Sequence, residues 1–581
     1  MSDERVIASD APKSVATFSI LSDGVKVPGS MQVLSVLVER EVNRIPSATI
    51  TIQDGAAAEQ SFAVSNGEEF APGKRIEIQA GYRSNEERIF SGIVISQAVK
   101  VRKNVSLLVV ECRHSAVRMS TRPLCAYFHD VTDQDVADTL FAAHGLSVST
   151  SGSAVSHAQL VQYDSTDWDF MLCRAEANGW WVIAGDDSIT VGPPDFSRSA
   201  ELTLQYGATI HDLDAEMDAR VQFETLRANG WDPASQALIS PAEAADPGAP
   251  AAGNIAGSAL AVATGNDALD YRHAGVGESE MQAWADGAMR KRRLGKIRGT
   301  LRTDGTALAL PGNPVVINGA GERFEGTHMM TGVRHQIGKG NWETTIQFGE
   351  SPERFAERFR VHQPAASALL PPVHGLQIGI VTSLEDPLGE DRIQVRLPLV
   401  DAADEGAWMR MASPDAGSGR GMVFRPEIED EVIVGFINND PRHGVVLGML
   451  HSSAHAAPLT GSNDNHEKGY VSRSGIRLHF DDDKTIVTLS TPGGHSLVLD
   501  DDEAVVRLED SNGNKIVMNR DGIEIESVRD MKLTAAVDVK AEAGANAEFT
   551  AGASAKVEGG AGAELSAGGN TTVRGAMVQI N

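Results

Sequence analysis

Residues 540–571 read KAEAGANA EFTAGASA KVEGGAGA ELSAGGNT, four units of eight in which each position keeps its character. Stepping by eight over a longer span gives Val517, Ile525, Leu533, Ala541, Phe549, Val557, Leu565 and Val573, all apolar. Two residues before the later members stand Met531, Val539, Ala547, Ala555, Ala563 and Thr571, mostly small or apolar; two after stand Ala535, Ala543, Ala551, Gly559, Ala567 and Gly575. Between them lie Lys532, Lys540, Glu548, Lys556, Glu564 and Thr572 on one side, and Thr534, Glu542, Thr550, Glu558, Ser566 and Arg574 on the other. Alternation at period two makes each unit a short strand with three inward and two outward side chains. Gly544, Gly552, Gly560 and Gly568 recur at one turn position, where a sharp bend is expected.

Such a unit cannot bury its apolar face alone. One chain can coil into a solenoid, or three chains can interleave as a triangular prism; short units and small inward residues suit the narrow prism better. Each unit then climbs one strand spacing, about 4.8 Å, and some ten units make a needle on the order of 50 Å long. Interleaving satisfies every strand edge except those at the tip. Upstream, Thr485–Leu489, Ser496–Leu499, Val505–Leu508 and Lys515–Met518 are spaced more loosely and are expected to begin the same structure, over 485–581. Their Asp-rich connectors, Asp481–Asp483 and Asp500–Asp502, read as solvated turns, with bound calcium as the alternative. The chain closes as GAMVQIN; Met577, Val578, Gln579, Ile580 and Asn581 then form an apolar end plate expected to dock another protein rather than to fray.

Working back, residues 453–484 read as a polar linker, 371–452 as a compact all-β module, and 1–370 as β structure with helical insertions. SATITI (47–52) and KRIEI (74–78) alternate as strands do. One helix is expected from Thr132 to Gly145, a second from Thr166 to Gly179, and a third over Glu278–Leu294. The third ends in Arg290, Lys291, Arg292 and Arg293, charge that complements a helix C-terminus. Residues 232–268, rich in Ala, Gly, Pro and Ser, read as a loop with little core of its own.

The bulk numbers exclude several classes. A net charge of −28 repels nucleic-acid phosphates. Three scattered cysteines support neither a disulfide framework nor a zinc site. The polar, acidic start lacks the form of a signal peptide and no run is long enough to span a membrane, so synthesis in the cytoplasm is expected. No nucleophile elbow, HExxH or phosphate loop appears. His451 and His455 sit four apart in a polar stretch with no partner at metal spacing, and Cys112 with His114 reads as a packed pair rather than a dyad. No catalytic residue, metal or cofactor is expected.

Three passages now carry a resemblance. STDWDF (165–170), continuing through Arg174, Glu176 and Gly179, and PGNPV (311–315), continuing to His335 and WET (342–344), are similar to a phage tail hub domain. GIVTSLEDPLGEDRIQVRLP (379–398), with Trp408, Pro426, Asp430, Phe436 and Gly448, resembles an OB-fold collar. Followed by the octads, the order resembles the VgrG-type spike proteins of contractile injection systems, a hub protein fused to a needle protein. NRIPSATI (43–50) and FAPG (70–73) look more like spikes of extracellular injection particles than those of type VI secretion.

The resemblance implies a mainly β chain with minor α: phage-hub-like β-barrel domains, an OB-fold, and a C-terminal trimeric triangular β-prism, or β-helix. It implies a homotrimer that nucleates the inner tube within a baseplate, carries a PAAR-type tip protein and punctures a target membrane on sheath contraction. Such a spike is incorporated in an injection particle and delivered or released outside the cell. Some phage relatives carry a lysozyme domain between collar and needle, for which 452–485 is too short, and some spikes carry a toxin beyond the needle, where this chain stops. A structural spike, not an enzyme, is therefore expected. The alternatives are a trimeric fibre or adhesin, which leaves the OB module unexplained, and an envelope hydrolase, for which no carboxylate pair presents itself.

Overall fold

The computed structural model describes residues 15–580 except 104, 153–154, 233–234, 275–276, 360, 362–365 and 367–371. It divides into two compact units, residues up to 375 with 436–443, and residues 376–435 with 444–581.

The first unit is built on a thirteen-stranded sheet. In Ser47–Gln53 the alternation buries Ala48, Ile50 and Ile52 and leaves Ser47, Thr49 and Thr51 half-buried; Arg75–Tyr82 buries Ile76, Ile78 and Ala80 in the same way. Strands near the N-terminus meet strands some 300 residues later: Val33–Glu41 pairs antiparallel with Gly326–Gly338, from Ser35 opposite Gly338 to Glu41 opposite Gly332. The sheet lines two cores, one around Ile50, Ile78, Phe90 and Val110, the other around Leu204, Leu301, Ile317 and Phe348. Where β-barrel domains are expected, the structure has one continuous sheet with two cores.

Helices α1 (Asp133–Ala143) and α2 (Asp167–Ala177) follow the expected punctuation. Thr132 caps α1 with Asp135 in a capping box, and Thr166 accepts from the Asp169 amide at the start of α2. Gly145 and Gly179 lie just beyond their ends with φ of 67° and 64°, which a side chain disfavours. Val136, Leu140, Phe141, Trp168, Met171 and Leu172 form a third core.

Residues 232–268 depart from the loop reading. They hold the strand Ala237–Glu243 and helix α3 (Gly257–Thr264), and Ala242, Leu260 and Ala261 are buried. Small side chains suffice because the strand packs beside helix α4 (Glu278–Leu294), whose Met281, Ala285 and Met289 share a core with Ala242. The basic run of α4 is consumed internally. Arg290 donates to the carbonyl of Gly179 (2.8 Å), Arg293 to that of Phe223 (2.9 Å), and Lys291 pairs with Glu176. A Cβ on Gly287 would lie 2.6 Å from the Gly179 nitrogen, so α4 crosses the end of α2 only because both residues are glycine.

In the second unit five strands close a barrel: Gln377–Ser383, Ile393–Arg396, Ala407–Met411, Gly444–Met449 and Glu431–Phe436, the last returning to the first. Val381, Val395, Met409, Val432, Val434 and Val446 fill it. The motif EDPLGEDR folds as a clamped loop: Asp386 accepts from the amides of Leu388 (3.0 Å) and Glu390 (2.9 Å) and from the Arg392 guanidinium (2.7 and 3.0 Å). The Arg392 hydrogen bonds first, then these amides, hold its carboxyl well below the usual range.

A seven-stranded antiparallel meander follows, with strands Glu467–Val471, Arg477–Asp481, Ile486–Ser490, Ser496–Asp500, Val505–Glu509, Lys515–Asn519 and Gly522–Glu526. Residues 467–484, read above as the end of a linker, supply its first two strands.

Candidate functional site

The candidate site is the surface that the C-terminal hundred residues present, and it has two parts. In the meander, the first five reversals each contain a residue at positive φ, Gly475, Thr485, Gly494, Ala504 and Gly513, and Gly522, the first residue of the last strand, has positive φ just after the sixth. These strands therefore double back within one chain instead of beginning the octad structure. Antiparallel register stacks apolar side chains in a row, Leu478 opposite Leu489, Leu489 opposite Leu497, Leu497 opposite Leu508, and Ile516 opposite Ile525. Leu478, Leu489, Leu497, Leu508 and Ile525 are exposed.

Val517 and Ile525, the first two members of the period-eight row, consequently fall on opposite faces. Val517 pairs with Glu524, whereas Ile525 pairs with Ile516. Period eight cannot preserve a face across a tight antiparallel turn, because parity follows the pairing register.

Beyond Glu526 the geometry changes. Two-residue bends fall at 528–529, 536–537, 544–545, 552–553, 560–561, 568–569 and 576–577, a strict period of eight. Among the described residues, none beyond Gly522 has positive φ, and no backbone–backbone hydrogen bond is made within 531–580. Gly544, Gly552, Gly560 and Gly568 occupy the first position of four bends, but Val528, Ala536 and Ala576 occupy the same position in others. The bend itself does not require glycine, and a Cβ at any of the four glycines meets nothing within 4 Å in the single chain.

Leu533, Ala541, Phe549, Val557, Leu565 and Val573 are all exposed, Phe549 by 88% and Val557 by 82%. At the end, Met577, Val578 and Ile580 are exposed and Gln579 lies between them; Asn581 is outside the described residues. This segment thus carries an unpaired backbone and an uncovered apolar row together, which is what a strand awaiting partner strands presents.

The remaining sequence candidates are elsewhere. Cys112 is buried in the strand Val105–Arg113, and burial pushes its thiol up to about 12. His114 caps a short 3-10 turn, its Nδ1 accepting from the Ala116 amide (3.2 Å). His451 and His455 are exposed. Asp481 accepts from the amides of Asp483 and Lys484, and Asp500 from that of Glu503, as solvated turns do. Among the described residues no group of three or more His, Cys, Asp or Glu is placed to hold a metal, and no helix is long and apolar enough to cross a membrane.

The exposed rows of the meander escaped sequence reading, although the alternating Leu478, Phe480, Val487 and Leu489 carry the signal.

Comparison with known proteins follows the same divisions. Residues 12–339 match the family described as the Alg8 N-terminal domain. Residues 377–451 match the type VI secretion system/phage-baseplate injector OB domain, and 486–581 the phage baseplate V C-terminal trimerisation domain. Among curated proteins, the type VI secretion system spike protein VgrG1b of Pseudomonas aeruginosa is 22% identical over 391 residues, covering 60% of this chain and 50% of the relative. VgrG4b of the same organism is 32% identical over 96 residues, covering 15% and 12%. The chain spans half the length or less of these curated relatives. Among solved structures, the 43 kDa tail protein of prophage MuSo2 from Shewanella oneidensis gives a TM-score of 0.45 at 12% identity, covering 58% of this chain and 98% of that one. An E. coli type VI secretion component described as similar to the T4 bacteriophage tail proteins gp27 and gp5 gives 0.39 at 14% identity, covering 74% and 99%. The first match alone takes in more than half of the chain, and the injector OB and trimerisation domains follow it in order: the chain belongs to the Alg8 N-terminal-domain family and is a VgrG-type spike protein of the phage-tail-like kind.

Proposed function

We propose that three copies of this chain assemble into the central spike and hub of a contractile injection system. In this reading residues 1–370 form the hub on which the inner tube starts within the baseplate, and 371–452 form the collar. The needle proper is the octad segment, with Leu533, Ala541, Phe549, Val557, Leu565 and Val573 turned inward. A PAAR-type tip protein docks on Met577–Asn581, and sheath contraction drives the assembly through a target membrane. The role is mechanical, and no residue is assigned a catalytic part. The phrases at 43–50 and 70–73 favour a spike of an extracellular injection particle, released from or delivered by the producing cell.

One observation carries the reading. The octad segment bends every eight residues, yet it neither bonds its own backbone nor covers its own apolar row. A single-chain solenoid of the same period would stack its own strands and show a ladder between them. Copies interleaved around one axis would supply the missing partners, and the match to a trimerisation domain over 486–581 supports three of them.

The test is the absolute mass in solution, by light scattering after size exclusion. Three copies of the 61.7 kDa chain, about 185 kDa, are expected. A stable monomer at micromolar concentration defeats the proposal.

A further inference from the structure

The outward side chains of the octads are not arranged at random. At one outward position the sequence runs Lys540, Glu548, Lys556, Glu564, alternating in sign over four consecutive units. At the other, Glu542 and Glu558 are separated by Thr550 and Ser566, so neighbouring units never repeat a charge. From residue 527 to 581 there are five cationic and six anionic side chains, in a chain whose net charge is −28. The segment is held near neutrality while the rest of the protein is not.

In the single chain this order satisfies little. Lys556 reaches Glu558 on its own strand and Lys540 reaches Asp538 (3.7 Å), both as exposed pairs. Glu548 and Glu564 make no ion pair among the described residues. Successive units of one chain are separated by a bend, so they lie on different faces of a three-sided prism. On any one face, the unit above a given unit is the next in sequence but comes from a neighbouring copy. Parallel strands in that arrangement stack equal octad positions about 4.8 Å apart.

We infer that Lys540, Glu548, Lys556 and Glu564 form an ion-pair ladder between copies, and that its alternation fixes the axial register of the three chains. The inference rests on the trimeric reading above. Its logic is one of parity. In register, unit n meets unit n+1 and every step joins opposite charges. Slipping one chain by a single octad sets unit n against n or n+2, which brings Lys against Lys and Glu against Glu, and like charges directly opposite on a sheet face are destabilising. The inward row over the same units, Ala541, Phe549, Val557 and Leu565, is apolar in every unit, so its hydrophobic character does not distinguish one octad from the next, although its side-chain size does. The charge order therefore supplies a signal that hydrophobic periodicity lacks.

Two experiments on the full chain test the ladder. In a Cys125→Ser background, Glu548→Cys with Lys556→Cys places thiols on adjacent units of different copies, within the Cα range a disulfide spans. Mild oxidation is expected to give covalent trimers on denaturing gels, whereas either cysteine alone gives none, because equal units of the three copies lie on three different faces. Covalent dimers from a single-cysteine variant, or only monomers from the double variant, overturn the register.

The second experiment is charge inversion. Lys556→Glu sets three glutamates in a column and is expected to speed trimer dissociation in detergent by roughly tenfold or more. Inverting all four residues restores the alternation and is expected to bring the rate back near that of the parent. If Lys556 served only its own-strand partner Glu558, full inversion would stay as weak as the single change, and that result sinks the ladder. A parent chain that is monomeric by mass sinks the trimeric reading instead, so the two failures are told apart.

Discussion

His335 lies opposite Val38 in the strand pairing that joins the two ends of the hub sequence, with Thr344 Oγ1 3.0 Å from its Nδ1. Burial, and then the nearby Arg40 charge, push its imidazole down to about 3. The unfolded chain has an ordinary histidine near 6.5. Below that pH the unfolded state takes up a proton that the folded state refuses, so the contribution to stability is full above about pH 6.5 and falls as the pH drops toward 3. One such group contributes a slope of up to about 1.4 kcal/mol per pH unit. His328 and His114 are lowered by burial in the same sense. We expect His335→Gln to make the pH dependence of urea unfolding shallower between about pH 6 and about pH 4 without abolishing it, read by the fluorescence of Trp342, whose ring centroid lies 5.8 Å from that of His335. An unchanged slope would show that the buried imidazole is not what couples the hub to acid. The buried cluster of Asp133, Arg174, His157 and Asn178 has the opposite character. There burial is outweighed by hydrogen bonds from Arg174 at 2.6 and 3.1 Å, and the Asp133 carboxyl is lowered. It stays charged through the same range.

Among the elements, the octad segment is the one whose apolar side chains are left exposed in the isolated chain and are assigned to the proposed assembly. Phe549 and Val557 are exposed in one copy, so Phe549→Asp with Val557→Asp leaves the hub sheet and the barrel untouched. In the proposed prism the same change would bury three unpaired carboxylates in each of two layers, at a cost on the order of several kcal/mol per ion. The expected product is a soluble 61.7 kDa monomer with its circular dichroism largely preserved; a detergent-resistant trimer would refute the inward placement. This contrast also explains which elements could be read in advance. Helix α4 was placed residue for residue, because its periodicity and end signals are local. The octad period is legible for the same reason, whereas the OB module is read as all-β and takes its fold from a family resemblance. The stretch 232–268 is not legible, since the strand Ala237–Glu243 acquires its core only by packing in the company of Leu226, Ala228 and Met281. The meander was missed for a subtler reason. Thr485 and Ala504 take φ of 56° and 55° at its reversals, and neither residue advertises a tight turn as glycine or asparagine does. Without those turns the strand spacing of nine to ten looks like a loose continuation of the octads.

At the scale of the whole molecule, the sequence grades from acidic and mixed in its folded units to small, near-neutral and repetitive over the octads, and the residue that follows the bend at 576–577 breaks their pattern. The octad rule places Asp538, Asn546, Ser554, Gly562 and Asn570 at one turn position, and Val578 takes the next. A valine where every earlier unit has a small or polar residue, flanked by exposed Met577 and Ile580, is out of place on a solvated shaft and suited to a covered end. In the proposed trimer, three copies would bring nine such apolar side chains to one tip. Removing Met577–Asn581 deletes that plate while leaving the octads from Met531 through Arg574 intact, together with every outward charge they carry. The truncated chain is therefore expected to keep the mass and detergent resistance of the trimer and to lose capture of a purified PAAR-repeat tip protein by at least tenfold, a change of about 1.4 kcal/mol or more. Loss of the trimer would make the tip part of the fold, and undiminished capture would move the docking site off the end of the chain.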